Sequence, residues 1–579
     1  MRLLAALILI AGAFELTRAG YSVDEEFTVF AVRGIQAHGL PLLPSGLLYD
    51  RGLAYSYASW IAGAVSGTEL PSYRTLSLLC SLASIFLTFA IVRRLATQRA
   101  ALLAATLVSG SMPFWATATT GRFYAPFLTC YLAVLWALSS LGTKPLGTPG
   151  TVRTLSTLMV LAALSRLTHE LAFTLAVVPF LCALLDARAR RSQWLAATGA
   201  IVAGLVAAQV GMFALHALEP GNGETMVRRF FLWQVLNLFE VPGDRQYGVA
   251  LTVMVLSWLI MPRRAALATV LALCGTAMVF TFSLARATNV GPLNLALVAT
   301  VLSEGAMYPL DMFRHIATLN PVAIALALTL IVARLAGAGG EWKRHERAAH
   351  LLWTLWVLWF GAIDSGITTN YLLLPLAFML IAIAIDLDAI VSHHLPPVSS
   401  ASRRLGLAVM ALVALAVGVD QWRGTGSPAA RLEAARPTID VAGIDEVRAG
   451  IQLADRIACT DELACILLVG RIDRWLALDD FVRERFLVTR RDGTAAGVYT
   501  GAPAVFRPGE LFSPNPDGTL PERVLVVDVF KEYPIGSSRS WLPRAIELDG
   551  LQVTPLLETP QGRVLQISPP ERNAMSRRP

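Results

Sequence analysis

Tyr21-Ser22-Val23-Asp24-Glu25-Glu26 follows directly on the first apolar run of the chain, residues 3–20. Carboxylates are costly beside a bilayer, so acids at the end of an apolar run mark a candidate site. Further along come Tyr49-Asp50-Arg51-Gly52 and then Tyr55, Tyr57 and Trp60. One loop outside a membrane thus carries acids, a fixed cation and aromatic rings, a set suited to an anionic substrate borne on a lipid. Ser22-Val23-Asp24-Glu25 has the spacing of a capping box that opens a helix. Phe27, Phe30, Ala31, Gly34 and Ile35 then recur at helical spacing, which predicts a helix lying along the membrane surface on its apolar face. A second such helix is expected over 53–65, where Tyr55, Tyr57 and Trp60 suit the interface.

The rest of the chain supports the membrane setting. Of its 579 residues 55% are hydrophobic and 15% charged, against about 25% charged in soluble domains. A span needs roughly 20 mostly apolar residues. Spans are expected near 3–20, 74–95, 100–119, 123–141, 153–167, 170–186, 195–217, 247–261, 265–285, 320–336, 350–364, 370–387 and 404–420, about 13 in all. The first is read as an uncleaved anchor. The net charge of +7 could suggest nucleic acid, but the cations lie between spans. Arg93, Arg94, Arg99, Lys144, Arg153, Arg188, Arg263, Lys343 and Arg403 fall on one side, which the positive-inside rule makes cytoplasmic. The loops 21–73, 218–246 and 286–319 then face outward, as does the C-terminal part.

Residues 425–579 are richer in Pro, Gly and charge, with β-rich runs at 523–530 and 562–568, a strand expected at 456–459 and a helix at 463–469. The fold class expected is therefore a polytopic α-helical membrane protein, residues 1–424 with the loop 21–73, and a soluble extracytoplasmic α/β domain, residues 425–579. Cys80, Cys130, Cys182 and Cys274 read as small core residues. Cys459 and Cys465 can pair if their side of the membrane is oxidising.

Each candidate residue has a plain structural alternative. Asp24 and Glu25 suit the first turn of a helix through its dipole, with Glu25 as the reciprocal cap; catalytically, such a carboxylate takes a proton from an attacking hydroxyl. Arg51 either snorkels to the headgroups or grips a lipid phosphate in two-pronged fashion. Arg122, in Gly121-Arg122-Phe123-Tyr124-Ala125-Pro126, is either an interface anchor or a second phosphate ligand. His169-Glu170 is either a polar turn or a metal or phosphate contact, two residues being too few to define a metal site. Glu304 and Tyr308 could line a substrate cavity. Asp364, Thr368, Asn370 and Tyr371 read as a polar hairpin, and Asp386 and Asp388 as structural acids.

Taken together, the outward Asp24-Glu25, Gly39-Leu40-Pro41, the stretch Tyr49 to Tyr55, the span ending in Arg93-Arg94-Leu95 and the Arg122–Pro126 turn resemble the GT-C glycosyltransferases of family 39 type. That group includes protein O-mannosyltransferases and lipid A aminoarabinose transferases. The resemblance implies a hexosyl- or pentosyltransferase of the bacterial inner membrane. Its partners would be a polyprenyl-phosphate-linked sugar, membrane lipids and a protein, lipid or glycan acceptor. The resemblance implies Asp24 as the catalytic aspartate and Arg51 as a ligand of the donor phosphate; Arg122 and Tyr55 are further candidates for that phosphate. Three positions depart from the family pattern. Tyr124 stands where relatives often carry a second acid, Arg51-Gly52-Leu53 where they carry Lys-Pro-Pro, and Asn370-Tyr371 where they carry Arg-Tyr. A divalent metal is the one cofactor left open. The competing classes are a transporter or flippase of lipid-linked sugar and a glycan polymerase or ligase. The transporter class is disfavoured by polar clusters at the outer junctions and by the lack of a repeat. The C-terminal domain is expected to cover the cavity and help select the acceptor.

Overall fold

The computed structural model describes residues 1–16, 20–22, 24–67, 69–141, 147–179, 182, 188–216, 218, 320–340, 346, 349–350, 352–353, 373–394, 400–421, 438–439, 443–452, 455–478, 483, 486–490, 493–514, 518–530, 532–533, 536–559 and 562–568. The chain divides into two compact units. One takes in Met1–Leu16, Arg74–Phe213 and Arg228–Ala435; the other takes in Thr17–Tyr73, Ala214–Val227 and Arg436–Pro579. This division differs from a cut at 424/425, because the loop 21–73 groups with the C-terminal residues.

The first unit is helical. Its apolar core is centred on the helix Leu373–His394, whose buried positions run almost continuously from Leu373 to Asp388. A helix apolar on every side must lie inside a bundle. It packs against the helices Gln98–Gly110 and Pro321–Leu335. The helix Gln98–Gly110 starts at Thr97, whose hydroxyl accepts from Ala100 N at 3.2 Å. It bends by 66° into Met112–Ala118. The break falls at Ser111, which is extended, and Pro113 suits the first turn of the new helix because it lacks the N–H that would continue the old one. Asp386 and Asp388 are structural, as expected. His350 Nε2 lies 2.6 Å from Asp386, Arg99 lies 3.4 Å from Asp388, and Thr97 donates to Asp388 at 2.7 Å. Arg334 pairs with Glu346 and lies 3.6 Å from Asp386.

Among the described residues three helices are long and apolar enough to cross a membrane, Leu70–Leu95, Arg191–His216 and Leu373–His394, or four if the bent pair is one span. The chain is a membrane protein. The described residues do not reach the count of 13, and the spans read at 247–261, 265–285 and most of 350–364 lie outside them. The span read at 170–186 opens instead as a 3-10 helix, Glu170–Ala176.

The second unit is built on a six-stranded sheet. Its strands are β3 (Arg456–Cys459), β4 (Arg474–Leu476), β7 (Ala504–Val505), β8 (Val524–Val529), β11 (Gln552–Glu558) and β12 (Gly562–Ser568), in spatial order β11-β12-β8-β3-β4-β7. Strands β7, β4, β3 and β8 are parallel; β12 and β11 close one edge antiparallel. Alternate residues of β8 serve two cores. Leu525, Val527 and Val529 meet Ala464, Cys465 and Leu468 on one face, while Val524 and Val526 meet Leu511, Leu542 and Ile546 on the other. Burial of both faces explains the nearly unbroken apolar run of β8. The expected strands at 456–459, 523–530 and 562–568 and the helix after the first of them (Glu462–Val469) are all present. Cys459 and Cys465 are joined by a disulfide, with Cα atoms 6.1 Å apart.

The loop 21–73 belongs to this unit. β1 (Tyr21–Ser22) pairs antiparallel with β2 (Thr438–Ile439). The helix Glu25–His38 forms as expected, but its apolar face has a protein partner: Phe30 and Ala31 pack with Leu43, Leu47, Tyr49, Leu463 and Val498. That corrects the expectation of a helix whose apolar face rests on the membrane, because the helix Glu462–Val469 already covers it. Gly34 allows the return of the loop, since a Cβ there would lie 2.2 Å from the Leu42 carbonyl oxygen. The helix Leu53–Ser66 does leave Trp60, Ile61 and Val65 exposed, as an interfacial helix would.

Candidate active site

Asp24 stands at the start of the helix Glu25–His38 with φ +76°, the one non-glycine with positive φ among the described residues. Aspartate tolerates the left-handed region better than most side chains, yet such a backbone is uncommon and gathers at functional sites. Asp24 makes no side-chain capping hydrogen bond, so the plain role offered by the sequence is not the one it fills. Glu25 is fully buried and accepts from Ser22 N at 2.7 Å, which ties the first helical residue back to the short strand before it. Of the two acids read together, Glu25 is structural and Asp24 keeps its carboxylate out of the cap.

Arg51 follows Tyr49 and Asp50 and precedes Gly52, whose φ of +72° turns the chain into the next helix. Asp50 lies 3.3 Å from His216 Nε2. His216 has no motif around it and was not a sequence candidate. Tyr55 is buried and donates its hydroxyl to Tyr73 O at 2.8 Å. Here its hydroxyl proton is held by the Tyr73 carbonyl.

Three other candidates come together in the first unit. Arg122 is buried, with its guanidinium 4.5 Å from the Phe123 ring and 6.0 Å from that of Tyr124. His169 is buried beside Phe123 and stacked on Phe127, each at 5.0 Å, and lies 6.0 Å from Tyr124. His169 Nδ1 accepts from Leu171 N at 3.1 Å, capping the 3-10 helix. Among the described residues no group of three His, Cys, Asp or Glu is arranged to hold a metal ion. The backbone of Glu170 opens that 3-10 helix. Glu304 and Tyr308, like Asp364 to Tyr371, lie outside the described residues.

The C-terminal unit adds a group with no sequence signal. Glu462, in the first turn of its helix, is buried and accepts from Thr500 N at 2.9 Å and from the Thr500 hydroxyl. Burial, reinforced by nearby Asp461, pushes its carboxyl up from 4.5 to about 7 against the Thr500 hydrogen bonds. In that window the folded chain holds a proton that the unfolded chain has lost. Stability is therefore highest below about pH 4.5, falls as pH rises to about 7, and is level above it. The loss expected across the window is about 3 kcal/mol. Hydrogen exchange of β3 and β8 at pH 5 and pH 8 reads it, and Glu462→Gln should abolish the difference.

Residues 50–213 match the family profile of dolichyl-phosphate-mannose-protein mannosyltransferase. No curated protein matches in sequence. The ArnT structure from Cupriavidus metallidurans bound to undecaprenyl phosphate superposes with a TM-score of 0.51 at 13% identity, covering 97% of each chain. An oligosaccharyltransferase from Archaeoglobus fulgidus, in complex with Zn and sulfate, superposes with a TM-score of 0.50 at 13% identity, covering 90% of this chain and 68% of that one.

The chain has the GT-C fold.

The GT-C fold is what the residues from Asp24 to Pro126 resembled in sequence. The profile match begins at Asp50, so it takes in Arg51, Arg122 and His169 and leaves Asp24 to be judged on its own geometry.

Proposed function

We propose that this chain is a glycosyltransferase that moves a sugar from a polyprenyl-phosphate donor to an acceptor hydroxyl on the outer face of the bacterial inner membrane, with inversion at the anomeric carbon. The observation that carries the reading is Asp24, held in the left-handed conformation at a helix start without being used as its cap. The mannosyltransferase profile and the likeness to a protein crystallised with undecaprenyl phosphate favour the lipid-phosphate donor class. The Cys459–Cys465 disulfide favours an extracytoplasmic C-terminal unit, since such bonds persist in oxidising compartments.

The step is a single displacement. Asp24 takes the proton of the acceptor hydroxyl as its oxygen attacks the anomeric carbon. The bond from that carbon to the phosphate oxygen breaks, and the polyprenyl phosphate leaves with the electron pair. Arg51 meets the charge that grows on the phosphate, for which a guanidinium fork is well matched.

The test is a panel of radiolabelled polyprenyl-phosphate sugars offered to the purified full chain, with the anomeric configuration of any product determined. Transfer with inversion is expected. A product of retained configuration would overturn the mechanism. Absence of transfer together with passage of lipid-linked sugar across liposomes would replace the enzyme by a transporter.

A further inference from the structure

The turn 498–500, between β6 (Ala495–Gly497) and β7, brings a C-terminal side chain to the beginning of the outer loop. Tyr499 meets the Phe27 ring edge-on at 4.8 Å and the Phe486 ring at 5.6 Å. Phe27 in turn stacks on Tyr49 at 5.4 Å. Phe27 is three residues after Asp24, and Tyr49 is two residues before Arg51. One aromatic cluster therefore holds together the segments bearing the proposed base and the proposed phosphate ligand.

The turn is fixed on both sides. Ser45 N donates to the Tyr499 carbonyl at 3.0 Å, and Glu462 accepts from the Thr500 amide at 2.9 Å and from its hydroxyl. Gly497, just before the turn, has no room for a side chain, since a Cβ there would lie 2.2 Å from Glu462 Oε2. A buried carboxylate bound to a backbone turn is a rigid way to aim the side chain next to it. Packing among three rings would be served as well by phenylalanine; a tyrosine hydroxyl in such surroundings calls for a polar partner. That hydroxyl lies among charges. Burial raises the phenol, the Arg51 cation lowers it, and Glu462, Tyr49 and Asp24 raise it.

We propose that Tyr499 is a substrate-contacting residue of the Asp24–Arg51 site, its hydroxyl donating to an oxygen of the lipid phosphate alongside Arg51. This rests on the reading of the chain as a polyprenyl-phosphate-sugar transferase. It gives the C-terminal residues a part in holding the donor. Glu462 acts through the Thr500 turn as a positioning residue.

The test is direct binding of undecaprenyl phosphate to the purified full chain, for wild type, Tyr499→Phe and Arg51→Gln. Tyr499→Phe keeps the ring and its packing, and its melting temperature checks the fold. A hydrogen bond to a charged group contributes about 1.5–3 kcal/mol, so Tyr499→Phe should weaken binding about 10- to 100-fold, with the KM of the acceptor unchanged. Unchanged lipid-phosphate affinity in Tyr499→Phe, with Arg51→Gln weakened, would overturn the role of Tyr499 and leave the transferase reading standing. No binding by wild type would overturn both.

Discussion

Asp24→Asn is expected to lower sugar transfer by about 10²- to 10⁴-fold, the usual contribution of a positioned general base. The amide is nearly the same size and tolerates the same left-handed backbone, so the turn at φ +76° should survive. What is lost is the ability to take a proton. Binding of undecaprenyl phosphate should remain within a few-fold of wild type, because the proposed phosphate ligands are Arg51 and Tyr499. The pairing of lost turnover with retained binding separates a base from a residue that merely shapes the loop. Turnover within tenfold of wild type would remove Asp24 from the chemistry.

The second large effect concerns stability of the C-terminal unit. Arg563 on β12 and Asp528 on β8 face each other across the sheet. Both are buried, with Arg563 Nε donating to Asp528 at 3.0 Å and Thr460 donating to its other oxygen at 3.1 Å. Arg563→Met would leave the Asp528 charge buried without its cation and should cost about 3–5 kcal/mol. Arg563→Met combined with Asp528→Leu should recover much of that loss, because replacing both members of a buried pair with apolar groups is often close to neutral. Hydrogen exchange of β8 in the full chain measures both. If the double variant lost as much as the two single losses added together, the pair would not be coupled in this way.

The resemblance on which the functional reading began was legible because it lies in short local patterns. The acids after the first apolar run, the Tyr49–Arg51 stretch and the Arg122 turn are each contiguous in sequence, and so is the apolar run of β8. Partnership across long separations was not legible. Nothing around Thr500 signals that its amide is held by Glu462, 38 residues earlier, and nothing around His216 signals Asp50, 166 residues earlier. Tyr55 reads as a site residue by its place beside Arg51, and only the bond to Tyr73 shows its hydroxyl committed.

The sequence by itself determined that this is a membrane protein with an α/β C-terminal region, because long apolar runs and short β-rich runs are local properties of the chain. It also determined that Asp24 and Arg51 share one loop. The tertiary structure decided that Glu25 is bound to the Ser22 amide while Asp24 makes no capping hydrogen bond, since both depend on where the turn folds. It decided too that the apolar face of the helix Glu25–His38 lies against protein. An amphipathic pattern states that a face must be buried and leaves open what buries it. In this chain the partner, helix Glu462–Val469, comes from the far end of the sequence, and it brings Tyr499 with it.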